Sequence, residues 1–364
     1  HDVVVLTVAD RPAELRATPP EGVRVLRTLV DLPWLPPSEA VTRIASANHA
    51  VTKIGSRLVG DLEGWEPDIV HAHDWQLGWA ADSLAARYDV PFVLTMHGTE
   101  RVRHGGQLPL GHPTDINSIE WWLAFQADRM ISPTRFIVEQ LITGFELADD
   151  HVTHIPNGID PEQWRPAHRF STPPTPRPPL VVSWGRVQYE KGFQVLARAM
   201  HELRGRVPDV EGVIAGRGSY LPELQTQVDV EGVSDILSLP GYLDDTDLRR
   251  LVHRAGCVVI PSLYEPFGIV ALEALAAGAP LIVARTGGLA ELVADTDSGV
   301  TFEPGNPDDL ADAIEQVLTN SELATLLVAN ARDLVERKYA WTAIARSTSD
   351  LYAEVVANGR HITL

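Results

Sequence analysis

The sequence predicts an α/β protein made of two successive doubly wound domains, and three observations carry that prediction. Short apolar runs alternate with stretches at helical spacing along nearly the whole chain, the pattern of parallel sheets covered by helices. The alternation is interrupted once, by the proline-rich stretch Ser171-Thr-Pro-Pro-Thr-Pro-Arg-Pro-Pro179, which is expected to be a stiff linker. The length, 364 residues, exceeds what one ordinary core organises. The domains expected are therefore 1–162, a linker over 163–179, a second domain over 180–341, and a last helix and tail over 342–364. No repeat of solenoid period is present.

In the first domain, strands are predicted at Val3–Thr7, Val23–Leu26, Pro67–Val70, Phe92–Thr95, Arg129–Ile131 and Val152–Ile155. Pro33 to Pro37 is a loop. Helices are predicted over Ala40–Val59, Gln76–Arg87 and Ile116–Gln126, and another starts at Ser132-Pro-Thr134. The polar, glycine-containing segment 100–114 is expected to be a mobile loop. In the second domain, strands are predicted at Leu180–Ser183, Val213–Ala215, Ile236–Leu239, Cys257–Ile260, Leu281–Val283 and Val300–Phe302. Helices follow the loops after them, among them Asp245–Arg254, one long helix from Pro307, and Thr342–Val356.

Composition narrows the function. Hydrophobic content of 45% and charged content of 22% are those of a globular protein. The net charge of -19 opposes binding to nucleic acid or to an anionic membrane. No apolar run is long enough to span a bilayer and no signal peptide is visible, so the expected setting is cytoplasmic. The single cysteine, Cys257, lies in an apolar strand and is expected to be a small buried hydrophobe. Lysine occurs only at 53, 191 and 338, which draws attention to Lys191 in a loop.

Doubly wound folds bind ligands at the carboxyl ends of their strands. Pro261 to Pro280 begins at such an end. It places Glu265, Phe267 and Gly268 before a helix and Glu273 within it. Gly268 lets the backbone come close to a ligand, and the unpaired N–H groups of the first helical turn suit an anion. Phosphates and hydroxyls together, as in a nucleotide sugar, account for an anion site beside two carboxylates. A glutamate on a helix is ordinarily just solvated, and Glu273 alone reads that way. Gly185-Arg186 to Lys191-Gly192 puts two cations next to a helix start, which suits a diphosphate. Gly216-Arg-Gly218 either borders a nucleotide or is a plain turn, and Gly287-Gly288 gains weight from its neighbours. The dinucleotide fingerprint with its ribose acid is missing, which disfavours a nicotinamide cofactor.

In the first domain His71, His73, Asp74 and His97 cluster at strand ends. Zinc is one reading, but the spacing matches no standard metal signature and a polar sugar pocket is preferred. His151 and His154 are expected to do nothing chemical. Trp75 is expected at the rim of a site. Trp79, Trp121 and Trp122, at helical spacing, are read as core.

Together, Gly185-Arg186…Glu190-Lys191-Gly192, Gly216-x-Gly218, Pro261-Ser-x-Tyr-Glu265-Pro-Phe-Gly268-x5-Glu273, Gly287-Gly288 and Asn157-Gly158-Ile159-Asp160 resemble the retaining GT-B glycosyltransferases of family 4. The resemblance covers nearly the whole chain. The Glu-x7-Glu pattern with its Pro-Phe-Gly is its most specific part. His73-Asp74-Trp75 is also similar to glycogen and starch synthases. The nearest group is the actinobacterial α-(1→4)-glucosyltransferases of glycogen or methylglucose polysaccharide type.

The resemblance implies a GT-B fold: two Rossmann-like domains facing a cleft, and a C-terminal helix that crosses back to the first. It implies metal-independent, cofactor-free transfer of glucose from UDP- or ADP-glucose to an α-glucan or oligosaccharide, with retention and an α-(1→4) linkage. Arg186 and Lys191 would grip the diphosphate, with Gly185 beside them. Glu265 would meet the donor sugar, the amides of Phe267, Gly268, Ile269 and Val270 would lie near sugar and phosphate, and Glu273 would bind the ribose. The base would sit near Gly216 and Leu243. His97 would lie at the reaction centre, and His73, Asp74 and Trp75 on the acceptor side. Alternatives are a family 4 enzyme for a lipid or small-molecule acceptor, and a non-catalytic nucleotide-sugar-binding relative. Family members carry a further strand, Gly-Gly loop and helix ahead of the strand seen here at Val3. Without that unit the first sheet is expected to lack a central strand and a loop that caps the phosphates.

Overall fold

Cys257–Ile260 is a strand of four apolar residues, all buried. Such a strand suits a sheet covered on both faces, and the second half of the chain is built that way. The structure is a computed structural model. It describes all residues except 10, 20, 33, 37, 38, 63, 106, 166–176, 295 and 361–364. Pro33 and Pro37 of the expected loop, most of the expected linker, and the last residues of the tail thus lie outside the described residues. The chain divides into two compact units, one comprising His1–Ile155 and Ser347–Leu364, the other Pro156–Arg346.

The first unit contains β1 (Val4–Ala9), β2 (Arg24–Leu29), α1 (Ala40–Gly55), α2 (Leu58–Asp61), β3 (Val70–His73), α3 (Gly78–Tyr88), β4 (Phe92–Thr95), α4 (Glu100–Arg103), α5 (His112–Gln126), β5 (Arg129–Ser132), α6 (Arg135–Phe145) and β6 (Val152–His154). Its strands form two parallel sheets rather than one. β1 pairs with β2, while β3, β4, β5 and β6 make a separate four-stranded sheet. Helix α1 packs on β1, β2 and α3.

Several expectations change here. Residues 100–103 of the segment expected as a loop form a helical turn, because the Thr99 hydroxyl accepts from the Val102 amide and caps it. Strand β3 starts at Val70, so His71 and His73 lie inside it on one side, not beyond its end. Trp75, expected at a site rim, is 5% exposed and packs in the core of this unit. Asp74, with φ 56, turns the chain just before it. Trp121, expected in the core, is 47% exposed, and the neighbouring Glu120 is buried instead.

The second unit contains α7 (Pro161–Trp164), β7 (Leu180–Arg186), α8 (Phe193–Leu203), β8 (Glu211–Arg217), α9 (Leu221–Val230), β9 (Leu237–Gly241), α10 (Asp245–Arg254), β10 (Cys257–Ile260), α11 (Ile269–Ala277), β11 (Leu281–Ala284), α12 (Gly287–Val293), β12 (Val300–Phe302), α13 (Pro307–Thr319) and α14 (Ser321–Leu334). The long helix expected from Pro307 is two, separated at Asn320, whose side chain caps α14 by accepting from the Leu323 amide. A π-helical turn, Val335–Tyr339, follows. Helix α15 (Trp341–Asn358) comes last, and its residues from Ser347 belong to the first unit.

The sheet of the second unit is parallel, in the order β12-β11-β10-β7-β8-β9. Successive residues feed opposite cores, as a strand period of two requires. Val181, Val259 and Ile282 pack in one cluster with α8, α9 and α13. Val182, Val258 and Val283 pack in the other with α11 and α12. Strand order reverses at β7, which has β10 on one side and β8 on the other. A reversal of this kind opens a crevice at the carboxyl ends of the two strands.

Candidate active site

The loops after β7 and β10 meet at that reversal. The Leu263 amide donates to the Glu190 carbonyl at 2.8 Å. Gly192 lies so close to the Pro261 carbonyl that a Cβ there would fall 1.8 Å from its oxygen. The loop after β11 joins them, since the Gly288 amide donates to the Glu265 carbonyl at 3.0 Å. These ties hold Lys191 and Glu265 face to face. The Lys191 ammonium pairs with Glu265 Oε2 at 2.7 Å, and the Ser262 hydroxyl donates to the same oxygen at 3.2 Å. The two side chains are only 22% and 14% exposed, so the pair is shielded from water and screened less than a surface pair.

A cavity of about 180 Å³ opens here, lined by Gly185, Arg186, Lys191 and Glu265 together with Trp184, Val270 and neighbours. Helix α11 starts beside it at Ile269 with no side-chain cap on its first amides, leaving its N-terminal partial charge for an anion. Gly268, φ 99, is the residue before that helix. Ile269 is exposed, while Phe267 is buried in the core. Glu273 lies behind Trp184, whose indole N–H donates to Glu273 Oε2 at 3.0 Å. Burial pushes the Glu273 carboxyl above its ordinary range and the indole hydrogen bond opposes this. Glu273 is therefore not simply a solvated helix residue.

Gly216 is the next-to-last residue of β8, beside Gly185. The strands run in register through Gly185–Gly216 and Arg186–Arg217, and Gly216 is paired strand, not a free turn. A Cβ on Gly216 would fall 1.9 Å from the Gly185 carbonyl oxygen. The register sets Arg217 next to Arg186, with the Arg217 guanidinium 5.3 Å from the Tyr242 ring. Sequence reasoning passed over Arg217. The signal was there, in the repeated Gly-Arg dipeptide at two successive strand ends. Leu243 is half-buried against the core just beyond β9.

The first unit holds its own cluster. The rings of His71 and His73 stack with centroids 4.6 Å apart, and those of His73 and His97 at 5.4 Å. His73 Nδ1 and His97 Nε2 share a hydrogen bond of 3.1 Å. His71 bonds Thr95 Oγ1 and, from α15, the Tyr352 hydroxyl. Burial, then the neighbouring imidazoles, pushes His71 down to about 3, and burial also lowers His73. Both are thus neutral near pH 7. Asp74 Oδ1 accepts from the His97 amide at 2.8 Å and so fixes the turn that carries the His97 ring. On the far side of the same turn both carboxylate oxygens of buried Glu120 lie 3.0–3.1 Å from the Glu100 amide. Burial drives the Glu120 carboxyl up to about 8. His151 and His154 bond the carbonyls of Ala124 and Pro133. Among the described residues, no group of three or more His, Cys, Asp or Glu is arranged to hold a metal ion.

Comparison with known proteins identifies the family and the fold. The family model described as Glycosyltransferase Family 4 matches residues 1–163, and the model described as Glycosyl transferases group 1 matches residues 165–334. A glycogen synthase of Mycobacterium tuberculosis is 34% identical over 360 residues, covering 97% of this chain and 86% of the relative. Sucrose-phosphate synthase from Thermosynechococcus elongatus superposes with a TM-score of 0.80 at 23% identity, covering 98% of this chain and 90% of that one. HepE of Anabaena, solved with UDP-glucose, gives a TM-score of 0.75 at 17% identity, covering 97% and 100% of the two chains. No described helix is long and apolar enough to cross a membrane. The chain belongs to glycosyltransferase family 4 and has the GT-B fold of two Rossmann-like units.

Proposed function

We propose that this protein transfers glucose from UDP- or ADP-glucose to an α-glucan or related oligosaccharide, forming an α-(1→4) linkage with retention, in the cytoplasm. The observation that carries the reading is the Lys191–Glu265 pair at the strand reversal between β7 and β10, beside the uncapped start of α11. A departing diphosphate needs positive charge already in place. Lys191 and Arg186 supply fixed cations, and the first amides of α11 supply a dipole. Glu265, held by Lys191 and Ser262, takes hydroxyls of the donor sugar, and Glu273 takes those of the ribose. With this charge in place the reaction requires no metal and no cofactor. His97 serves at the reaction centre, with His73 and Asp74 toward the acceptor. The identity to a glycogen synthase supports the glucan acceptor, and the UDP-glucose bound by HepE supports the donor class.

The test is a screen of UDP- and ADP-glucose against glycogen and maltooligosaccharides, reading nucleotide release and the linkage of the product. Release that requires a glucan and yields α-(1→4) product is expected. Release that requires a lipid or another small acceptor would replace the glucan assignment. Donor binding with no turnover on any acceptor would mark a binding protein.

A further inference from the structure

Trp184 stands between the two ends of the proposed donor site. It lines the cavity that holds Lys191 and Glu265, yet its indole N–H is spent on Glu273, outside that cavity, at 3.0 Å. It is 7% exposed and held by a stack drawn from separate elements. The Trp164 ring of α7 lies 6.2 Å from it with planes 23° apart. The Arg249 guanidinium of α10 lies 5.9 Å from the Trp164 ring, and Arg249 Nη1 also donates to the Gln163 carbonyl at 2.8 Å. His253 Nε2 bonds the Trp164 carbonyl at 2.6 Å. Arginine, tryptophan, tryptophan and glutamate thus form one line ending at a half-buried carboxylate. An indole N–H can only donate, so Trp184 fixes one oxygen of Glu273 in the form that accepts hydrogen bonds.

We propose that Trp184 is a positioning residue for nucleotide binding: it orients the Glu273 carboxylate toward the two ribose hydroxyls of the donor, and the Trp164–Arg249 stack holds the indole in place. The inference rests on the donor-site reading given above. A carboxylate anchored through one oxygen keeps a fixed direction for the other, and its cost of ordering is met before the nucleotide arrives. Trp184 acts through Glu273 and touches no reacting atom.

The test measures binding of UDP and ADP, and of their 2′,3′-dideoxy analogues, to wild type, Trp184→Phe, Glu273→Gln and the double variant, with thermal unfolding as the check on folding. For the nucleotide that wild type binds, Trp184→Phe raises Kd about tenfold, the factor carried by a hydrogen bond to a charged group. It also removes most of the preference for ribose over dideoxyribose. The double variant binds no more weakly than Glu273→Gln alone. Should Trp184→Phe misfold, Trp164→Leu reports on the same line from one residue further back, and the same loss of ribose preference is expected. A Trp184→Phe protein that keeps the wild-type ribose preference overturns the proposal, as do losses that add in the double variant. If Glu273→Gln itself binds like wild type, or wild type binds neither nucleotide, the donor-site reading fails and the inference falls with it.

Discussion

Gly192→Ala isolates the close approach on which the site depends. Gly192 has φ +69, and Gly232, on the loop after α9, has φ +67. An alanine at either position carries the same left-handed backbone strain, about 1–2 kcal/mol. The surroundings differ. A Cβ at Gly232 meets nothing within 4 Å, whereas at Gly192 it would lie 1.8 Å from the Pro261 carbonyl oxygen and 2.7 Å from its carbon. Cβ atoms do not come within 3.0 Å of such neighbours, so the loops after β7 and β10 would have to separate by about 1 Å or more, against close packing. The total cost at Gly192 should reach about 3–4 kcal/mol, in the upper tail for single substitutions. At about 2–4 °C per kcal/mol for a unit of this size, the unfolding midpoint of the second unit followed by calorimetry should fall about 2–8 °C for Gly232→Ala and about 6–16 °C for Gly192→Ala. Nucleotide binding should survive the first change and be lost in the second, because Lys191 and Glu265 sit on the two displaced loops. Equal shifts for the two variants would refute the argument from close approach.

Two further variants test the first unit. The Glu120 carboxyl is raised from 4.5 to about 8, so the unfolded chain loses this proton near pH 4.5 while the folded chain keeps it to about pH 8. Stability should therefore fall as pH rises through that window, by up to about 1.4 kcal/mol per unit, and level off above it. Glu120→Gln keeps an oxygen for the Glu100 amide and has no proton to lose, so its advantage over wild type in denaturant unfolding should grow from pH 5 to pH 8. Parallel profiles would sink the assignment. Trp75→Ala should cost about 3–5 kcal/mol, as expected for a buried aromatic, with the KM for acceptor unchanged in whatever protein stays folded. A selective rise in that KM would return Trp75 to the site.

Much of the second unit was legible because its sheet is buried on both faces. Cys257–Ile260 and Leu281–Ala284 are unbroken apolar runs, short and β-branched as buried strands are. The candidate site was legible through a lone loop lysine and the Glu265-Pro-Phe-Gly turn, with Glu273 entering only through the family resemblance. Strand ends were less so. Gly185 and Gly216 look like loop residues, yet each remains paired to the other near the carboxyl ends of two inner strands. Trp121, expected in the core, is exposed while its neighbour Glu120 is buried, where it accepts from the Glu100 amide 20 positions away. No pattern along α5 itself announces that. The bond between Trp184 and Glu273 was likewise hidden, since it joins β7 to α11 across a separation of 89 residues.

The central claim is that the Lys191–Glu265 pair at the β7–β10 reversal is the heart of a donor site. The most direct measurement is acceptor-dependent nucleotide release by Lys191→Ala beside wild type, with unfolding as the check that the fold is intact. Loss of a fixed cation facing the leaving diphosphate should lower turnover by about 10²–10³, while the folded protein persists. A folded Lys191→Ala protein that turns over at the wild-type rate would contradict the account.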